Sequence, residues 1–209
     1  MRGVIVVGGL VGVLASADAA ADSAAAEDDA FERKARNVFV FEGIAGVATH
    51  TREYINSNTQ PQTVTQVGGL GMVPFSRLGY HRFLPHAISL GLGGQLVATR
   101  LSPWFDRPTT IFGLTPRVGW STPISHAVSV WLRAGPGLVY LKSEGAATGQ
   151  LSLGGEAILV IIPAHDFGIT LAIFYERGIA GREVIESTNT SFPVRYSSLG
   201  LGLGLAIAF

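Results

Sequence analysis

"SSLGLGLGLAIAF", Ser197 to Phe209, closes the chain with strict alternation. Leu199, Leu201, Leu203, Leu205, Ile207 and Phe209 fall on one parity, and Gly200, Gly202, Gly204, Ala206 and Ala208 on the other. Successive side chains of a strand point to opposite faces, so this is a β-strand with one large apolar face and one face almost without side chains. Neither face carries charge. A strand at the edge of a water-soluble domain would show polar groups on its solvated side. Here one side must meet an apolar medium and the other a crowded interior.

Composition agrees. Charged residues make up 14% of the 209-residue chain, against about 25% in ordinary soluble domains. Glycine contributes 27 residues, and the formal net charge is zero, so no basic field exists to draw nucleic acid. Cysteine is absent, which excludes a disulfide framework, thiolate catalysis and cysteine zinc sites.

The first residues read as an export signal. Arg2 precedes an apolar run from Val4 to Leu14, and Ala15-Ser16-Ala17 supplies the small residues of a cleavage site. Residues 1–17 are therefore expected as a signal peptide, cut after Ala17. The apolar run is too short for a spanning helix, which needs about 20 residues. Residues 18–36, rich in Ala and acidic residues before "ERKAR", read as a frayed periplasmic lead.

From Asn37 onward, apolar stretches alternate with polar or Pro-containing breaks. The spacing predicts eight strands, near 37–49, 64–75, 87–100, 111–122, 126–141, 149–162, 167–178 and 195–209. Breaks at 50–63, 101–110, 142–148 and 179–194 are long or polar and are expected on the cell surface. Those at 123–125 and 163–166 are tight and are expected on the periplasmic side. The connection "SRLGYHRFLPH", 76–86, should be tight in this scheme and does not look it. Short turns on one side and longer loops on the other mark outer-membrane barrels. The fold expected for 37–209 is thus all-β, an eight-stranded antiparallel up-and-down transmembrane β-barrel.

Parity supports this in the central strands. Phe112, Leu114, Pro116, Val118 and Trp120 oppose Gly113, Thr115, Arg117, Gly119 and Ser121. Val128, Val130, Leu132, Ala134, Leu138 and Tyr140 oppose Ser129, Trp131, Arg133, Gly135 and Gly137. Leu151, Leu153, Gly155, Ala157, Leu159 and Ile161 oppose Ser152, Gly154 and Glu156. Aromatics on the apolar parity form two sets: Phe39, Trp120, Phe167 and Phe209 at the periplasmic ends, Phe112, Tyr140 and Tyr175 at the outer ends. Two such belts around an aliphatic band suit a lipid-facing wall. In a lipocalin-like barrel or a β-sandwich the opposite face would be wet and rich in Lys, Glu, Asp and Thr; here it is Gly, Ser and Ala with a few charges. Trp131 and Phe174 point inward as lumen filling.

The terminal Phe209, with Ile207, Leu205 and Leu203 at two-residue steps before it, resembles the carboxy-terminal signal of bacterial outer-membrane barrels. The hairpin Phe112–Tyr140 is similar to a segment of small barrels of the OmpA-like and OmpW-like kind. The resemblance implies location in the outer membrane, contact with its lipid and lipopolysaccharide, and handling by the barrel-assembly machinery. A monomer without cofactor is expected. OmpA's polar carboxy-terminal domain is missing here, so its peptidoglycan role does not carry over.

Chemistry is sparse. Five histidines (His50, His81, His86, His126, His165) lack metal-site spacing. The glycine runs lack the strand–loop–helix context of phosphate loops. Lipid A-modifying enzymes exist on this architecture and need Ser and His placed together with an acid; Glu176, near the outer leaflet, has neither beside it in sequence. The two remaining classes are a closed structural or surface-interaction barrel and a conduit, either a narrow pore or a lateral route for small molecules. Arg117, Arg133 and Glu156 lie mid-strand on the inward parity. Glu156 is expected to pair with Arg133, Arg117 or both, with Glu42 and Gln95 completing a network across the lumen.

Overall fold

The structure, a computed structural model, describes residues 37–55, 58–69, 77–99, 109–164 and 166–209. The expected signal peptide, the lead 18–36, most of the break 101–110 and His165 lie outside the described residues.

Nine strands make one antiparallel sheet: β1 (Asn37–Tyr54), β2 (Gln62–Gly69), β3 (Arg77–Phe83), β4 (Ile88–Thr99), β5 (Thr109–Ser125), β6 (Val128–Ser143), β7 (Ala146–Ala164), β8 (Phe167–Ile185) and β9 (Thr190–Ala208). Each strand from β3 onward pairs with the next, and β1 closes the ring by pairing with β9 from Val38↔Ala208 to Tyr54↔Val194. β2 and β3 lie end to end along the same edge of β1, β3 on its first six residues and β2 on Ala45–Arg52. The nine strands therefore form a ring of eight staves, one of them interrupted. β1 bulges beside that interruption, with a register shift between Phe41 and Ala45 against β9. Gly43 sits in the bulge at φ 64°, a conformation that costs glycine little.

The second stave corrects the break expected at 76–86; of the strand expected at 64–75, residues 64–69 are strand and 70–75 lie outside the described residues. "RLGYHRF" is strand, and the turn is only Leu84–Ala87, closed by Leu84 N–H donating to Ile88 C=O at 2.7 Å. The inward parity of β3 carries Arg77, Gly79 and His81, so the stave has the polarity of a loop although its outward parity is Leu78 and Tyr80. The outer breaks are also shorter than expected. Residues 142–148 hold a two-residue turn, Glu144–Gly145, and 179–194 hold only 186–189 outside the strands. At 50–63, β1 continues to Tyr54. On the other side the turn falls at 126–127 rather than 123–125, after a bulge at Pro123/Ser125. A 19-residue strand such as β8 exceeds the roughly 10 residues a tilted strand needs to span a bilayer core. The remainder stands above it, where lipid no longer demands an apolar outer face, and the apolar signal fades there.

The outer wall is apolar. Leu90, Leu92, Leu132, Leu138, Leu153, Ile173, Leu199, Leu201, Leu203 and Ile207 are all exposed, a continuous surface far too large for a monomer in water. Phe209, 62% exposed, stacks on Phe39 at 5.3 Å between ring centroids, and Phe39 meets Tyr80 at 5.5 Å. Tyr80 Oη donates to Asn37 Oδ1 at 2.6 Å. These rings rim one end together with Trp120 and Phe167; Phe112 and Tyr140, directly opposite each other, and Tyr175 lie toward the other. We expect Phe209→Asp to cut the yield of folded barrel several-fold, because it removes the stack and sets a carboxylate in an apolar rim. Heat-modifiable mobility in gel electrophoresis measures the folded fraction, and wild-type levels would refute this account of the rim.

Candidate functional site

The lumen is filled in layers, and the middle layer is ionic. Register brings Arg133 on β6 directly opposite Glu156 on β7. Arg133 bonds Glu156 Oε2 and reaches Glu42 Oε1 at 2.6 Å. Arg77, on the first residue of β3, donates from Nη2 to Glu156 Oε1 at 2.5 Å and pairs with Glu42 through Nε at 3.0 Å. Arg117 Nε donates to Glu156 Oε1 at 3.4 Å. Glu176, inward on β8, accepts a bond from Ser152 and lies 3.8 Å from Arg117 Nη2 and 4.0 Å from Arg77 Nη1. Three guanidinium groups thus meet three carboxylates, with Glu156 shared by all three. Gln95 is buried in the same wall, its Oε1 beside Gly113.

Arg117 has a second task. The β5–β6 ladder stops after Leu114↔Leu138 and resumes at Val118↔Ala134. Pro116 and Pro136 occupy the gap on neighbouring strands, and neither has an N–H to donate. Arg117 Nη1 donates to the carbonyls of Pro116, Gly135 and Pro136 at 3.1, 3.2 and 2.7 Å. Within a lipid-bound wall every backbone carbonyl must find a donor, and here a side chain supplies it. Any Cβ at 135 would overlap the Pro116 carbonyl oxygen, so the seam requires glycine.

Beneath the ionic layer, toward the end that carries Phe209, the lumen is dry. Val38, Val40, Phe83, Trp131, Ile158, Val160, Ala206 and Ala208 form one buried cluster. Trp131 is 1% exposed, and its Nε1 donates to Ser89 Oγ at 2.9 Å. Phe83 packs against it at 5.1 Å, His81 meets it edge-on at 4.6 Å, and the Arg133 guanidinium covers its face at 4.6 Å. His81 Nε2 accepts from Arg133 Nη1 at 2.8 Å, tying the dry layer to the ionic one. Space left among Arg77, Arg133, Glu42, Glu156, Ile158 and Phe174 is about 20 Å³, enough for about one water.

A second polar layer lies toward the outer end. Arg52 bonds both carboxylate oxygens of Glu183 and the hydroxyl of Tyr54. Tyr196 Oη donates to Glu183 Oε2 at 3.3 Å, and the rings of Tyr54 and Tyr196 lie 4.6 and 5.8 Å from the Arg52 guanidinium carbon. Gln150 exchanges two bonds with the Tyr196 backbone, at 2.6 and 3.1 Å. Below it His50 Nδ1 and Ser198 Oγ are 2.8 Å apart.

Sequence reasoning did not find Arg77, His81, Arg52 or Glu183. All four stood in segments read as breaks. The available signal was parity: Arg52 continues the inward series Ala48, His50, and Arg77 and His81 flank Gly79 on one face of β3. Glu176 points into the lumen, where Ser152, Arg117 and Arg77 face it. The Ser–His adjacency absent from the sequence appears across strands as Ser198 and His50. Glu176 pairs with Ser198 in register, yet its carboxylate is taken by Ser152 and the arginines. Among the described residues no group of His and acidic side chains could hold a metal ion.

No protein-family model and no curated protein sequence matches this chain. Among solved structures, the outer membrane protein AlkL, determined in lipid bilayers, superposes with a TM-score of 0.53 at 9% identity over 84% of this chain and 90% of AlkL. Neisserial surface protein A gives 0.48 at 12% identity, covering 82% of this chain and 97% of its own. Ail, the attachment invasion locus protein of Yersinia pestis, gives 0.42 at 13% over 83% and 99%. The fold is that of small outer-membrane β-barrels.

Glu156→Gln leaves three buried guanidiniums short of their shared counter-charge. Breaking a buried pair costs about 3–5 kcal/mol, and we expect a loss of that size in denaturant unfolding of the folded barrel in detergent. A loss below about 1 kcal/mol would show that lumen water replaces the carboxylate.

Proposed function

We propose that this protein is a sealed outer-membrane barrel whose function is carried by its outer surface and its projecting strands, without catalysis. The observation that carries this reading is the lumen: an aromatic plug, a six-member ionic layer and an Arg52–Glu183 layer lie one above another, with about 20 Å³ free between the first two. An eight-stranded ring has an interior just wide enough for side chains, and these side chains occupy it. The Ser198–His50 contact fits lumen packing. His50 is buried, Glu176 is held by other partners, and Arg52, Tyr54 and Tyr196 stand between the pair and the outer end. Export through the expected signal peptide and assembly through Phe209 belong to the same reading.

One observation favours a lateral route for small apolar molecules as a second reading. Among the described residues β2 pairs with β1 alone, and no ladder joins it to β4. Val67 on β2 and Leu96 on β4 are 83% and 78% exposed. This leaves the outer half of one seam without hydrogen bonds between staves.

Planar-bilayer recording separates the readings. A sealed barrel conducts little, and Arg133→Ala or Trp131→Ala raises conductance by opening the ionic layer or the plug. Wild-type conductance of open-pore size would overturn the sealed reading. For the seam, we expect uptake of a small hydrocarbon into vesicles to be the same with wild-type protein as without it; uptake that a Val67→Cys/Leu96→Cys crosslink abolishes would establish the lateral route.

A further inference from the structure

The outer wall carries a groove of about 370 Å³ lined by Phe112, Leu138, Tyr140, Gly149 and Leu151, with Val139 and Gln150 behind them. One rung of the sheet builds it. Phe112 stands opposite Tyr140, Tyr140 opposite Gly149, and Gly149 opposite Arg182. The missing side chain at 149 makes the trough, since a Cβ there would have no heavy atom within 4 Å. Leu138 and Leu151, also opposite each other, continue the trough toward the middle of the apolar band. Its upper margin is cationic: Arg182 is on the rung itself, and Lys142 is one outward position further along β6. Both are exposed. Lys142 has only a loose partner, Glu186 at 4.0 Å with both side chains more than half exposed, and among the described residues no ion pair involves Arg182.

An apolar trough that runs into two cations at the edge of the apolar band matches one chemistry, a lipid with phosphate on its headgroup. We propose that this face binds one phosphorylated lipid of the outer leaflet, with an acyl chain against Leu138, Gly149 and Leu151 and phosphate at Arg182 and Lys142. Arginine suits phosphate because its planar fork offers paired donors. Tyr140, between trough and cations, holds the amphipathic position that interfacial aromatics favour. The proposal rests on the membrane placement argued above but not on whether the lumen conducts.

The test uses full-length mature barrel, delipidated in detergent and offered bis-phosphorylated lipid A or zwitterionic phosphatidylcholine, with retained lipid counted by native mass spectrometry. The expected result is one lipid A per wild-type barrel, in at least ten-fold preference to phosphatidylcholine. Arg182→Ala combined with Lys142→Ala should lower lipid A retention at least ten-fold. Gly149→Leu should do the same by filling the trough, with heat-modifiable mobility unchanged because the added side chain meets open space. Equal retention of both lipids by wild type, or wild-type retention in both variants, would reduce the site to ordinary annular contact and overturn the proposal. A lipid-free wild-type dimer that Gly149→Leu dissociates would also overturn it, making the groove an interface between copies.

Discussion

The carboxylate of Glu156 holds the interior together. Three guanidinium groups, from β3, β5 and β6, converge on it from around the ring, and Glu42 and Glu176 return the balance of charge from β1 and β8. None of these six side chains can reach bulk water easily, and an unpaired charge there would be costly. Each member therefore constrains the others, and together they clamp six staves at one depth. Hydrophobic packing supplies only the Trp131 layer in a protein most of whose large apolar residues face outward. The interior must be specified by polar complementarity, where one absent partner penalises several others.

The crowding of that interior explains the glycines of the wall. Side chains as large as Arg117, Arg133, Trp131 and Phe174 fit only because facing positions are empty. A Cβ at Gly91 would overlap the His81 ring, one at Gly119 would press on Trp131 and Arg133, and one at Gly200 would press on Phe174. The Gly parity of the terminal strand is the negative image of the side chains that cross the lumen. The proline pair at 116 and 136 follows the same economy: the ladder hydrogen bonds lost there are replaced by Arg117, already present for Glu156.

The scaffold divides by surface. The lumen is occupied by its own side chains. The outer wall carries a trough where Gly149 interrupts the apolar face beside Arg182, and the strands extend past the apolar band toward turns at 144–145 and 186–189. The two polar layers sit at different depths and serve different neighbours. The Glu156 layer links six staves at the middle, and the Arg52–Glu183 layer joins β1, β8 and β9 nearer the outer end.

Alternation and the spacing of the breaks were enough to determine the fold class, a ring of eight strands and the inward or outward placement of the central residues of β5, β6 and β7 and the last residues of β9, because a strand in contact with lipid has no freedom to vary its outer face. They also placed Arg117, Arg133 and Glu156 on the inward face at comparable depth, since parity and position along a strand are sequence quantities. Tertiary structure alone decided what crosses the lumen. Arg77 meets Glu156 although 79 positions separate them, and Arg52 meets Glu183 across 131, because ring closure and stagger bring distant staves face to face. The second stave was misread for the same reason. The inward face of β3 is polar to serve partners on β1, β6 and β7, and its polarity has no explanation until those partners are in place.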